Sequence, residues 1–255
     1  MTKNIGIIGV GHFAAYLVEG FFRASPDRTI ILSPRGKEMS QQLAQKFHCK
    51  IATDNQNVID RSDIIILSIK PIDLMDVAER LHFPEDKLVI SVVAGAHLEN
   101  VSSLVAPASA VCALPVSSAA INKSPTLLYP DQKQANELLS LLGPVIACSS
   151  QQEFDTAGAY SAFYGWNFKF MEEMTRWGVD NGLDCEMSRK IVEGTLASAA
   201  GMSSNESEKT LDEIVSNVAT KGGITELGLN IFNQQNSFNS WHDAMDGVRK
   251  RLSNK

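Results

Sequence analysis

An α/β fold is predicted for this 255-residue chain, with a doubly wound parallel sheet in residues 1–150 and an all-helical part in residues 151–255. Three observations predict it. A short apolar strand pattern ends in Gly9-x-Gly11-x-x-Ala14 and runs straight into an amphipathic helix pattern. Strand-like and helix-like segments then alternate, the order that builds βαβ units and a mostly parallel sheet. Beyond Cys148 the strand patterns stop and long helical ones take over.

The elements follow in order. Residues 4–9 read as a buried strand and residues 12–24 as a helix. On that helix Phe13, Leu17 and Phe21 lie beside Ala14, Val18 and Phe22, the spacing that buries a stripe against a sheet. Ser25-Pro26 ends it. A second strand over 29–32 leads through Ser33-Pro34-Arg35 into a helix over 37–47. Residues 64–69 form a third clear strand, an unbroken apolar run of the kind expected where both sheet faces are covered. Lys70-Pro71 closes that strand, a helix follows over 72–81, and a further strand over 88–93 closes at Ala94-Gly95. Shorter strands are expected near 110–114, 126–129 and 145–147, with a helix over 132–142 between the last two. In the second part, helices are expected over 153–181, 185–202, 206–217, 224–233 and 238–253. Gly182 is the helix stop and Asp184 the N-cap between the first two.

The composition, 44% hydrophobic and 20% charged, is that of a globular protein able to bury a proper core. A net charge of −6 argues against a nucleic-acid partner, which needs a basic face. No apolar run reaches the roughly 18 residues of a membrane span. The sequence enters its first strand directly, with no basic-then-apolar signal segment ahead of it. Cys49, Cys112, Cys148 and Cys185 are scattered without a CxxC spacing, so neither a metal site nor a disulfide framework is expected. They read as small apolar residues in a reducing cytoplasm.

The glycine turn is what a dinucleotide pyrophosphate needs. Gly9 permits a sharp turn, Gly11 lets backbone approach phosphate, Ala14 keeps the helix near the strand, and free N–H groups of the first turn face the anion. An NAD site places an acid at the end of the second strand to bind the ribose hydroxyl. Here that strand ends in Leu32-Ser33-Pro34-Arg35-Gly36-Lys37, with no acid before Glu38. A hydroxyl and a guanidinium would hold a 2′-phosphate by charge-assisted hydrogen bonds, which favours NADP(H). The plainer alternative leaves Arg35 and Lys37 as solvated loop charges.

Further segments resemble the pyrroline-5-carboxylate reductases. They are Ile8-Gly-Val-Gly-His-Phe-Ala14, Ser33-Pro-Arg35, Asp54-Asn55, Ser62-Asp63, Leu67-Ser-Ile-Lys-Pro71, Ser91-Val-Val-Ala-Gly95 and Val218-Ala-Thr-Lys-Gly-Gly-Ile-Thr225. The resemblance implies a Rossmann-type domain followed by a helical dimerisation domain, hence a homodimer or higher homo-oligomer acting on a small anionic substrate. It assigns cofactor contacts to Gly9, Gly11, Ser33, Arg35, Asn55, Lys70, Ala94 and Gly95, with His12 and Phe13 in the first turn and Ser68 and Pro71 flanking Lys70. It places Thr225 near the imine nitrogen as donor or proton relay, with Thr220 beside it in the loop. The substrate carboxylate falls to Gly222 and Gly223, with Lys221 as an added cation and Val116 where the family has an asparagine.

Departures accompany these matches. The family's Met-Pro-Asn reads Leu114-Pro115-Val116, its arginine two residues earlier reads Cys112, and its Gly- and Ser-rich stretch reads Tyr160-Ser-Ala-Phe-Tyr-Gly-Trp166. The loop proline is Lys221 and the first threonine of the pair is Ile224. Read without the family, Gly222-Gly223 is a helix–helix turn, Lys221 is solvated, His12 is a surface histidine, and the aromatics are core or subunit interface. Glu172, Glu173 and Arg176 read as a solvated helix face. Three functions follow: an NADPH-dependent reductase making L-proline, a reductase of another imine or carbonyl compound, or an NADP-binding protein without catalysis.

Overall fold

The computed structural model describes residues 3–253. Its elements run β1 (Ile5–Ile8), α1 (His12–Ala24), β2 (Ile30–Leu32), α2 (Lys37–Phe47), β3 (Lys50–Ile51), α3 (Asn55–Asp60), β4 (Ile64–Leu67), α4 (Leu74–Ala78), β5 (Leu88–Ser91), α5 (Leu98–Val105) and β6 (Ser109–Leu114). They continue through β7 (Thr126–Tyr129), α6 (Lys133–Leu139), β8 (Val145–Ala147), α7 (Gln151–Gly158), α8 (Tyr160–Asp180), α9 (Cys185–Asn205), α10 (Leu211–Val218), α11 (Ile224–Gln234) and α12 (Ser237–Ser253). Two compact units divide the chain: one runs through Ser161 and regains the chain from Arg249, the other is Ala162–Val248.

The first unit holds one eight-stranded sheet in the order β3-β2-β1-β4-β5-β6-β7-β8. Every neighbouring pair is parallel except β6 with β7. That reversal follows from the connection, which between Leu114 and Thr126 carries only a 3₁₀ turn over Ser117–Ile121 and no crossover helix. Alternation explains the unbroken apolar strands. Ile5, Ile7, Ile64 and Ile66 point into one core layer with Leu17, Val18 and Phe21 of α1, all essentially buried. Ile8, Ile65 and Leu67 point to the other face, with Val58, Val101 and Val105 from α3 and α5. Each such side chain contributes about 1.5–3 kcal/mol on burial.

Several short elements differ from the sequence pattern. α3 and α5 fall where no helix was expected; α3 starts at an N-cap in which the Asp54 carboxylate accepts from the Asn57 N–H. The helix expected over 153–181 divides at Ala159, whose N–H bonds the Thr156 carbonyl and tightens one turn. The helix expected over 72–81 begins instead as a 3₁₀ turn, Pro71–Asp73, and ends at Ala78. α10 begins at Leu211 because Thr210 and Glu213 close a capping box. Gly182 does turn left-handed, at φ +95°, and the Asp184 carboxylate accepts from the N–H groups of Glu186 and Met187.

The second unit is wholly helical among the described residues. Its aromatic residues pack on α12: Phe163 and Trp166 lie with ring centroids 5.8 and 6.2 Å from Trp241. Much apolar surface stays exposed there, including Phe168, Trp177, Ile224 and Leu227.

Candidate functional site

The strand order reverses between β1 and β4, and the carboxyl ends of these strands form the crevice where doubly wound sheets bind ligands. The Ser68 N–H donates to the Ile8 carbonyl at 2.8 Å, so the turns after the two strands are held side by side. Gly9 sits at φ +92°, and any β-carbon there would collide with the Ser68 carbonyl and the Ile69 side chain. Gly11 is different. It has an ordinary extended backbone, yet nothing lies within 4 Å of where its β-carbon would be. The protein leaves that space open above the start of α1, which has no side-chain cap and no acid in its first turn. Such a cradle fits a pyrophosphate.

The turn after β2 packs directly on this one. Gly36 adopts φ +87°, and a β-carbon on it would lie 2.5 Å from the Val10 carbonyl oxygen. Sequence reading did not single out Gly36, although Pro34-x-Gly36 is itself a turn signal. Ser33 and Asn55 meet each other: the fully buried Ser33 hydroxyl donates to Asn55 Oδ1 at 2.6 Å and accepts from the Arg35 N–H at 3.4 Å. Within the chain the Ser33 hydroxyl thus joins Asn55 to the turn that carries Arg35. Its proton is committed to Asn55, and burial closes off its outer side. Arg35 and Lys37 are exposed and have no ion-pair partner among the described residues, which leaves both open to an anion.

The remaining edge residues fall in line along the sheet. Lys70 is exposed at the end of β4, followed by Pro71; Ala94 is exposed after β5, and Gly95 turns at φ +74°. A groove of about 410 Å³ opens here, lined by Pro71, Leu74, Met75, Val93, Gly95 and Ala96 among others. Just beyond, at the N-cap of α5, His97 carries a buried Nε2 with no hydrogen-bond partner among the described residues. His12 is exposed. Phe13 is half-buried and packs against the layer that includes Leu17 and Phe21.

Two substitutions noted in the sequence prove to be packing residues. Cys112 is buried, its thiol donating to the Ala96 carbonyl at 3.6 Å. Burial first, and the charge of Asp155 second, push that thiol up to about 12. Val116 is likewise buried and its N–H donates to Ser124 Oγ at 2.9 Å. At the position where a substrate contact was expected, Val116 presents an apolar, buried side chain and no polar group.

In the second unit, the segment between α10 and α11 forms a tight loop. Gly222 turns at φ +77°, the Gly223 N–H donates to the Thr220 carbonyl at 2.9 Å, and Gly223 is the N-cap of α11. Thr220 and Lys221 are exposed on this loop, and Thr225 is exposed in the first turn of α11. Glu226, which sequence reading passed over, returns its Oε2 to accept from the Gly222 N–H at 2.7 Å. A glutamate three residues past a helix N-cap is the signal that would have found it. Among the described residues no group of three or more His, Cys, Asp or Glu side chains could hold a metal, and no helix is long and apolar enough to cross a membrane.

Residues 4–95 match the family model described as NADP oxidoreductase, coenzyme F420-dependent. Residues 152–255 match the model for pyrroline-5-carboxylate reductase dimerisation. The pyrroline-5-carboxylate reductase of Vibrio alginolyticus is 28% identical, over 98% of this chain and 94% of its own length. The crystal structure of 1-pyrroline-5-carboxylate reductase from Streptococcus pyogenes superposes with a TM-score of 0.87 at 25% identity, covering 98% of each chain. The Plasmodium falciparum pyrroline carboxylate reductase with NADP bound gives the same TM-score at 18% identity, covering 98% of this chain and 97% of that one, and shares the fold.

Proposed function

The chain belongs to the pyrroline-5-carboxylate reductase family, and from that premise we propose that it reduces 1-pyrroline-5-carboxylate to L-proline with NADPH. The observation that carries this reading is the end-to-end extent of the likeness, which takes in both the glycine turn and the helical part. When bound, the dinucleotide supplies a hydride to the imine carbon; the C=N electron pair moves to nitrogen, which takes a proton.

The chain's residues bind, orient and protonate. Gly9 and Gly11 shape the phosphate cradle, and the N–H groups at the start of α1 face it. Arg35 and Lys37 supply cations for a 2′-phosphate, and no acid stands at the end of β2 to repel one. Lys70, Pro71, Ala94 and Gly95 line the sheet edge beyond. In the first turn of α11, Thr225 holds a hydroxyl able to donate toward the imine nitrogen, with Thr220 on the preceding loop in support, and Gly222, Gly223 and Lys221 receive the substrate carboxylate. Homodimer formation accounts for the exposed apolar side chains of the second unit, Trp177 and Leu227 among them.

Steady-state oxidation of NADPH in the presence of 1-pyrroline-5-carboxylate tests the reading, and no turnover above background overturns it. A second reading, reduction of another imine or carbonyl compound, is favoured by the buried Val116 and by the rings of Phe163 and Trp166 gathered on Trp241. A panel of ketone and imine acids separates the two.

A further inference from the structure

Resting on the reading of the loop before α11 as the seat of the substrate carboxylate, we propose that Glu226 is an internal competitor for that seat. It thereby sets the selectivity of the protein between cyclic imines that carry a ring carboxylate and those that do not. The geometry is specific. Glu226 Oε2 accepts from the Gly222 N–H at 2.7 Å, while the Gly223 N–H is taken by the Thr220 carbonyl at 2.9 Å. Both glycine donors are thus partnered within the chain, one of them by a carboxylate, the same chemical group the substrate brings.

The seat itself is sterically open. A β-carbon built on Gly222 meets nothing within 4 Å. Glu226 is half-buried and has no Lys or Arg ion-pair partner among the described residues. A ring carboxylate must displace it from the Gly222 N–H and then remain within one helical turn of a like charge. An uncarboxylated ring meets neither obstacle. At a separation of several ångströms near solvent, removing that repulsion is expected to improve carboxylate binding about fivefold.

Glu226→Gln separates this role from helix capping, because the amide oxygen keeps an acceptor for Gly222 while the charge is lost. The deciding measurement is calorimetric titration of the NADP⁺-loaded protein with tetrahydrofuran-2-carboxylate. About fivefold tighter binding by Glu226→Gln than by the parent supports the proposal; equal affinity overturns it. The parallel kinetic expectation is a lower KM for 1-pyrroline-5-carboxylate at unchanged kcat, with 1-pyrroline unaffected; an equal gain for both rings also overturns it. Absence of turnover on either imine, with the tighter titration retained, sinks the proline reading and leaves the selectivity role of Glu226 standing.

Discussion

The Ser33 hydroxyl donates to Asn55 Oδ1 at 2.6 Å, tying the end of β2 to the first turn of α3. Ser33 is fully buried, so Ser33→Ala leaves an acceptor without its donor in a closed site. A loss of about 1–3 kcal/mol is expected in urea denaturation, together with weaker NADPH binding as the turn carrying Arg35 loosens. Unchanged stability would show that Asn55 finds another partner.

Gly36 of the turn after β2 and Gly11 of the cradle should part company. Gly36→Ala meets both a left-handed φ and the Val10 carbonyl at 2.5 Å, and should destabilise the fold by about 1–3 kcal/mol. Gly11→Ala meets nothing in the protein, so its stability should stay within about 1 kcal/mol of the parent. Its NADPH affinity, read by calorimetry, should nevertheless fall steeply. Undiminished affinity would remove the cradle from the phosphate.

Arg35→Ala tests cofactor choice. Arg35 is exposed and without an ion-pair partner among the described residues, so no change in melting temperature is expected. Loss of a charged hydrogen bond to a 2′-phosphate should raise KM for NADPH roughly tenfold to a hundredfold and leave NADH unaffected. Equal effects on both cofactors would refute the assignment.

Acid sensitivity has contributors in Glu153 and Glu213, among other carboxyls. The Ser149 hydroxyl and N–H hold the Glu153 carboxyl below its ordinary range, and the Thr210 N–H and hydroxyl do the same for Glu213. A carboxyl lowered in the folded state adds stability that is present above the unfolded value, about 4.3, and is lost as pH falls through the lower folded value. Glu153→Gln and Glu213→Gln should therefore flatten the decline of the melting temperature between neutral and strongly acidic pH. A parallel decline in the variants would exclude these two groups.

Much of the first unit was legible because its signals are local. Ile64–Leu67 is apolar at every position, and a strand buried on both faces has no other pattern. The Gly9 turn carries its own conformational demand. Harder to read were features made by meetings between distant segments: Ser33 with Asn55, Gly36 with Val10, and the burial of Val116. A hydroxyl whose partner lies on another crossover looks, in the sequence, the same as one free for a ligand. α5 escaped for a related reason, since Val101 and Val105 gain their meaning only from the sheet face they cover.

The close seat of Gly36 on Val10 also bears on descent. The turn proposed to read the ribose and the turn proposed to hold the phosphates share one contact surface, so neither can be exchanged alone. A lineage changing its coenzyme must keep glycine at 36 while altering its neighbours, and a grafted loop from a relative will be accepted only if it brings that residue along.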